Sequence, residues 1–370
     1  SACLVGSEMC IRDRYFLARD GQILCRIARR LAPWIGAEIG CHYLYASRQA
    51  LFLPSVRAID EASLAWITRD ITGKSIGQIL ARVEIDPASH AAALAAEGFP
   101  PAHWDVPLSQ TDQNRVAALM ARQSVAAEVL QNAAERRAAL QQYLDQEGLV
   151  DAGRCAIVDI GWKGRLQQSL TEVLSMRRPR NMTLTGFYYG LLEYPKGMDK
   201  QAFRTYAEGP HPNATLLERF VAADHGTVTR FERAGDGTAH ARLAAACDDD
   251  KRDGEVAVQQ AAIVSFAENL VAALSLADLP PALVLDFLRD RARSAFDLFT
   301  GQPTATEAEV YGTIQHDEDQ VHGDPSDAAP ILAAGMLARI FMFRYGPWKH
   351  RVTLWTEGSI VRSARSPVVG

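Results

Sequence analysis

Apolar positions along this chain alternate between two spacings. Tyr15-Phe16-Leu17-Ala18 is a continuous run of strand formers, whereas Gln22–Leu31 places Ile23, Leu24, Ile27, Ala28 and Leu31 on one helical face. His42–Ala46 reads as the next strand, so Tyr15–Arg48 has the length and order of a strand–helix–strand unit with parallel strands. Arg154–Val158 is a second buried-type strand, followed by a helix over about Arg165–Met176 and another strand within Asn181–Leu191. The repeated order predicts an α/β fold with one mostly parallel, Rossmann-like sheet built from both segments.

The stretches between and after these units read differently. Pro54–Pro107 has helical patches broken by Gly73, Pro87 and Gly98-Phe99-Pro100-Pro101, and Thr111 or Asp112 starts an Ala-rich helix that Gly148 stops after Glu147. Residues 15–222 are therefore expected to form an α/β domain with a helical insertion at about 54–150. Beyond Ala222, Thr227–Glu232 and Thr238–Leu243 flank Gly235-Asp236-Gly237, a hairpin signal. Asp248–Gly254 reads as a charged linker, and Glu255–Leu276, Pro281–Phe299 and Ile331–Arg344 read as helices. Residues 223–370 thus form a hairpin plus a helical region that packs on the same core or caps it.

Composition narrows the class. With 370 residues, 48% of them hydrophobic, the chain can bury a sizeable core, and a formal charge of −5 removes the footprint of a general nucleic-acid binder. No apolar run approaches the roughly 20 residues that span a bilayer, and no signal-peptide order opens the chain. A cytoplasmic protein is expected. Cys25, Cys41, Cys155 and Cys247 are scattered singly, as reduced thiols are. Cys3 and Cys10 lie in Ser1–Arg14, which resembles translated sequencing-adaptor sequence; this segment is expected to lie outside the fold, with the natural chain continuing upstream of Tyr15.

Two junctions carry the candidate chemistry. In Asp159-Ile160-Gly161-Trp162-Lys163-Gly164-Arg165-Leu166-Gln167 a carboxylate ends a strand, two glycines let backbone approach a ligand, and a helix N-terminus with Lys163 and Arg165 favours an anion. Asp159, Gly161, Trp162, Lys163, Gly164 and Gln167 are the candidates here, with Trp162 placed to stack on a ring or to pack on its own helix. In Arg19-Asp20-Gly21 the guanidinium suits a phosphate, and the carboxylate suits a hydroxyl or a divalent cation. Ser47 and Arg48 follow the second strand and add a phosphate contact. The parallel crossover rule predicts that Asp20, Arg48 and Asp159 meet at one sheet edge. Asp20 and Asp159 are then the candidate catalytic pair and the candidate ligands of Mg²⁺. Each residue also has a structural explanation: Asp159 as helix cap, the glycines as relief of crowding, Arg19-Asp20 as a turn-closing ion pair. His316–His322 carries enough carboxylate and imidazole to suggest metal, but its spacing suits a solvated loop better.

Tyr15–Gly21, Tyr43–Arg48, Val158–Gly164 and Leu217-Glu218-Arg219-Phe220 together resemble the C-terminal region of bacterial HAD-superfamily hydrolase-like proteins, often encoded with surface-polysaccharide and glycosyltransferase genes. The resemblance runs from Tyr15 to about Gly358. It implies a domain that handles a phosphorylated sugar or nucleotide sugar beside an upstream HAD-like domain. The Asp-x-Asp nucleophile of that family is not in this chain, where Asp159-Ile160-Gly161 has glycine at the acid–base position. Two alternatives stay open: a phosphoribosyltransferase-like enzyme, by analogy of its strand–glycine-loop–helix junctions, and a non-catalytic scaffold for the upstream domain.

Overall fold

A computed structural model describes residues 11, 13–36, 38–150, 154–177, 183–206, 214–244, 250–277, 279–313, 315–316, 326–332, 353 and 355–365. Strand β1 (Asp13–Leu17) leads through α1 (Gly21–Ile35) to β2 (Gly40–Leu44), and α2 (Arg48–Ser55) follows directly. Helices α3 (Glu61–Ile67), α4 (Ile76–Ala81), α5 (Ala91–Ala96), α6 (Gln113–Ala121) and α7 (Gln123–Gln146) form the insertion. The sheet resumes with β3 (Arg154–Asp159), α8 (Arg165–Ser175), β4 (Thr183–Tyr188) and β5 (Phe203–Thr205).

The five strands lie in the order β2-β1-β3-β4-β5, and every neighbouring pair is parallel. This is the α/β sheet the sequence predicts. The chain leaves β1 towards β2 on one side, and from β3 runs through β4 to β5 on the other. The topological switch point therefore lies between β1 and β3, where open α/β sheets form their ligand crevice. Helices cover both faces: α2, α7 and α8 share the larger core with Tyr15, Leu17, Ile157 and Leu184. Ile23 of α1 packs with Ile160 on the opposite face.

The insertion has its own core, in which Ile67, Ile79, Leu94 and Val116 pack around Val125 and Val129 of α7. Further along α7, Leu140 and Leu144 belong to the sheet core. One helix thus ties the two cores together. The expected single helix from Thr111 or Asp112 is instead two, because Arg122 takes an extended conformation (ψ 133°) that breaks the hydrogen-bond ladder between α6 and α7. Gly148 does end α7 with a left-handed φ of 75°.

Helix α9 (Ala214–Phe220) precedes the hairpin of β6 (Val228–Arg233) and β7 (Ala239–Leu243). The hairpin lies on α2 and α7, with Phe231 stacked on Tyr143 at 4.5 Å. Next come α10 (Asp250–Ala277), α11 (Pro281–Gly301), α12 (Ala305–Gly312) and α13 (Thr356–Arg365). Phe299, Tyr311 and the buried Trp355 form a small core among the last of these. Residues 333–344 of the helix expected over Ile331–Arg344 lie outside the described residues, as do Asp317–His322 of the acidic stretch.

Three expectations need correction. Asp13 and Arg14 belong to β1, held in register with Gly40 and Cys41 on one side and Cys155 and Ala156 on the other, and Ile11 is buried. The fold thus reaches into the segment expected to end at Arg14; Ser1–Cys10 and Arg12 lie outside the described residues. Asp250–Gly254 is helical rather than a linker: Asp, Lys and Arg are all compatible with a helix interior, so charge alone does not mark a break. Within α10, Gly254–Ala277 is long and apolar enough by length and composition to cross a membrane, with mean hydropathy 1.4 and 11% of the stretch buried. Glu268 interrupts it in sequence, and in the fold it pairs with Arg30 of α1 at 2.6 Å.

Candidate functional site

The carboxyl ends of β1 and β3 lie side by side, with Phe16 in register with Val158. Neighbouring strands are about 4.8 Å apart, so Asp20 and Asp159 come to the same edge, close enough that the charge of Asp159 bears on Asp20. Arg48 opens α2 at the end of the adjoining β2 and senses the charge of Asp159. Helices α1, α2 and α8 all begin at this edge and direct their positive ends towards it. The crossover rule thus brings together the three residues it was expected to.

A third carboxylate joins them. Glu218 of α9 accepts a hydrogen bond from the Trp162 indole and raises the proton affinity of both Asp20 and Asp159. Burial is the larger cause for each, penalising the charged form. Asp159 is pushed up to about 6, although the backbone amides of Ile160 and Gly161 bond to its carboxylate and hold it down. Asp20 is lifted well above the usual carboxylate range by burial, then Asp159, then Glu218. Its side chain makes no cap bond to α1. Glu218 is lifted as well, by burial, against the pull of Trp162, Arg48 and Arg19.

Chemically, this is a cluster of three carboxylates and two guanidiniums, Arg19 and Arg48, in which burial raises the proton affinity of every acid and their charges are coupled. Carboxyl groups whose proton affinity is raised in this way are suited to moving a proton to or from a ligand hydroxyl. Among the described residues no group of three His, Cys, Asp or Glu side chains is placed to hold a metal ion.

Other expected contacts have structural employment. The Ser47 hydroxyl caps α2, accepting from the Ala50 amide at 3.0 Å, and donates to the carbonyl of Val228. Gln167 is fully buried, donating to Leu184 and Ala202 carbonyls at 2.9 and 3.1 Å and accepting from Tyr188 at 2.8 Å. It locks α8 onto β4 and onto the turn that leads into β5. Lys163 and Arg165 turn to the exposed Glu193, at 3.1 and 3.4 Å.

The glycines are needed for packing. A Cβ on Gly161 (φ 79°) would come within 2.4 Å of the Tyr188 ring, and one on Gly164 (φ 60°) within 2.7 Å of Phe203. Gly21 passes so close to β1 that a Cβ would sit 2.5 Å from the Phe16 carbonyl carbon. The Trp162 indole N–H donates to Glu218 and so anchors that carboxylate.

Glu218 is the site residue that sequence reasoning did not assign. It stands in Leu217-Glu218-Arg219-Phe220, one of the stretches that carry the resemblance, and that membership was the available signal. No protein-family model matches the chain, and no curated protein aligns with it significantly.

Proposed function

We propose that this chain is a cytoplasmic α/β domain that handles a phosphorylated sugar or nucleotide sugar, working beside an HAD-like domain upstream in the intact protein. The observation that carries this reading is the meeting of Asp20 and Asp159 with Arg48 at the β1/β3 switch point. Arg19 and Arg48, aided by the helix N-termini, hold the phosphate through charge-assisted bonds. Asp159 takes a proton from a sugar hydroxyl, or returns one, while Asp20 shares the proton load. Glu218 is the positioning residue: fixed by Trp162, it keeps Asp159 in the range where both protonation states are populated.

Isothermal calorimetry with UDP-glucose as the probe tests this. Arg48→Ala is expected to weaken binding by about 1–3 kcal/mol, the worth of a charge-assisted bond. Asp159→Asn is expected to change the proton uptake measured in buffers of different ionisation enthalpy. Equal affinity and equal proton uptake in all three proteins would sink the reading.

A second reading has its own observation. Ser47, Gln167, Gly161 and Gly164 are all committed to architecture, which favours a scaffold role for the junctions. Under it, neither variant alters ligand binding.

A further inference from the structure

Beside Asp20 lies a hydrogen-bonded pair that the acid–base chemistry leaves unused. Tyr43 sits on β2 in register with Phe16 of β1. Its hydroxyl is 2.6 Å from Nε2 of His225, which follows α9 in the chain. The other ring nitrogen, Nδ1, is 2.8 Å from the carbonyl oxygen of Gly226. A carbonyl only accepts, so Nδ1 carries the proton, and Nε2 of the neutral ring is an acceptor. Tyr43 is therefore the donor in the 2.6 Å bond. Tyr45 closes the third side of the trio, its ring 5.3 Å from both Tyr43 and His225.

This pair borders the acid cluster. Burial raises the Tyr43 phenol most, followed by the phenol of Tyr45 and then the charges of Asp224 and Asp20. Asp224 is itself held by Gln22 at 2.6 Å and Arg26 at 3.3 Å. The segment that carries His225 is thereby tied to α1, which starts beside Asp20.

Building on the phosphorylated-ligand reading, we propose that Tyr43 is a ligand-contacting residue of the Asp20–Asp159 site and that His225 sets the direction of its O–H. With neutral His225 the Tyr43 proton is committed to Nε2, and the phenol shows the site only lone pairs, which suit a ligand hydroxyl. When a proton from solvent adds to Nε2, the imidazolium donates at both nitrogens. Tyr43 must then accept, and its O–H turns to the site, where it suits an anionic oxygen. Only hydrogen bonds reorganise; no covalent bond other than N–H forms. Histidine is the side chain suited to making this change near neutral pH.

Imidazole ¹⁵N spectroscopy of the full chain tests the first half without any ligand. Wild type and Tyr43→Phe are both expected to show His225 as the Nδ1–H tautomer that the Gly226 carbonyl fixes, with the Nε2 resonance shifted in Tyr43→Phe because its hydrogen-bond donor is gone. A dominant Nε2–H tautomer in wild type overturns the inference. Calorimetry with inorganic phosphate between pH 8 and 5.5 tests the second half, in wild type, Tyr43→Phe and His225→Gln. The ionisations of phosphate, Asp20, Asp159 and Glu218 are common to all three proteins, so the difference between them isolates the pair. Wild type is expected to gain about tenfold more affinity on acidification than either variant, the worth of one added bond to an anion. Phosphate binding that Arg48→Ala weakens but Tyr43→Phe leaves with wild-type pH dependence overturns the inference and keeps the functional reading. No binding of phosphate or UDP-glucose to wild type overturns both.

Discussion

Replacing Asp159 with Asn perturbs the electrostatics of the site in a way that stability alone can read. An unfolded Asp ionises near 3.9, whereas Asp159 in the fold is pushed up to about 6. The folded chain therefore binds more protons than the unfolded chain between about pH 4 and 6. Stability is fully present below that window and is lost as pH rises through it. The gap between the two values corresponds to roughly 3 kcal/mol, and coupling to Asp20 spreads part of that over the pair, leaving about 2 kcal/mol attributable to this charge. Asparagine keeps the shape and an oxygen that accepts from the Ile160 and Gly161 amides, but it carries no charge. Asp159→Asn should thus stabilise the protein by about 2 kcal/mol at pH 8 and leave it nearly unchanged at pH 4. At roughly 2.1 cal/mol/K per residue, this is a rise in Tm of about 3 °C for a chain of this length. Scanning calorimetry at pH 4, 6 and 8 measures it. A variant destabilised to the same degree at every pH would show that Asp159 is a plain structural cap and that the cluster stores no electrostatic strain.

Three further substitutions separate architecture from chemistry. Gly161→Ala places a Cβ 2.4 Å from the Tyr188 ring at a positive φ, so urea unfolding should show a loss of about 2–4 kcal/mol; a loss below 1 kcal/mol would mean the junction is looser than its packing indicates. Gln167→Leu removes three buried hydrogen bonds and should cost about 2–4 kcal/mol by the same measurement, while UDP-glucose affinity of the folded fraction stays at the wild-type value. Glu218→Gln takes away the carboxylate charge that most raises Asp159 after burial, so carboxyl ¹³C titration should find Asp159 ionising below about 6; an unmoved or raised value would remove Glu218 from the site.

The sheet was legible because each strand is a short apolar run bounded by a turn, and because the handedness of parallel crossovers leaves few ways to join two strand–helix units. That logic alone brings Asp20 and Asp159 to one sheet edge. It did not find β5, whose three residues are too few to carry a period, nor α2, where Pro54 inside the last turn reads as a breaker. It also merged α6 and α7, since Arg122 has nothing in its composition to mark an extended residue. The polar residues show a different limit. Gln167 follows the glycine loop as a ligand contact would, yet its amide points into the core and satisfies two carbonyls there. Sequence supplies the donor and acceptor, and only packing decides which way they face.

Glu218 marks the same boundary from the other side. Its distance along the chain from both aspartates hides it from any reading of local motifs, and it reaches them only because α9 packs Leu217 with Ile23 and Ile160 on the face of the sheet opposite α7. Three carboxylates gathered at one buried edge cost stability that a purely structural junction would have no reason to carry, since a neutral cap at Asp159 would hold the same backbone amides without the repulsion. The repulsion is useful only where a carboxyl group has to change protonation near neutral pH. This is why the pH dependence of Asp159→Asn, rather than its effect at any single pH, distinguishes a working site from a turn between strand and helix.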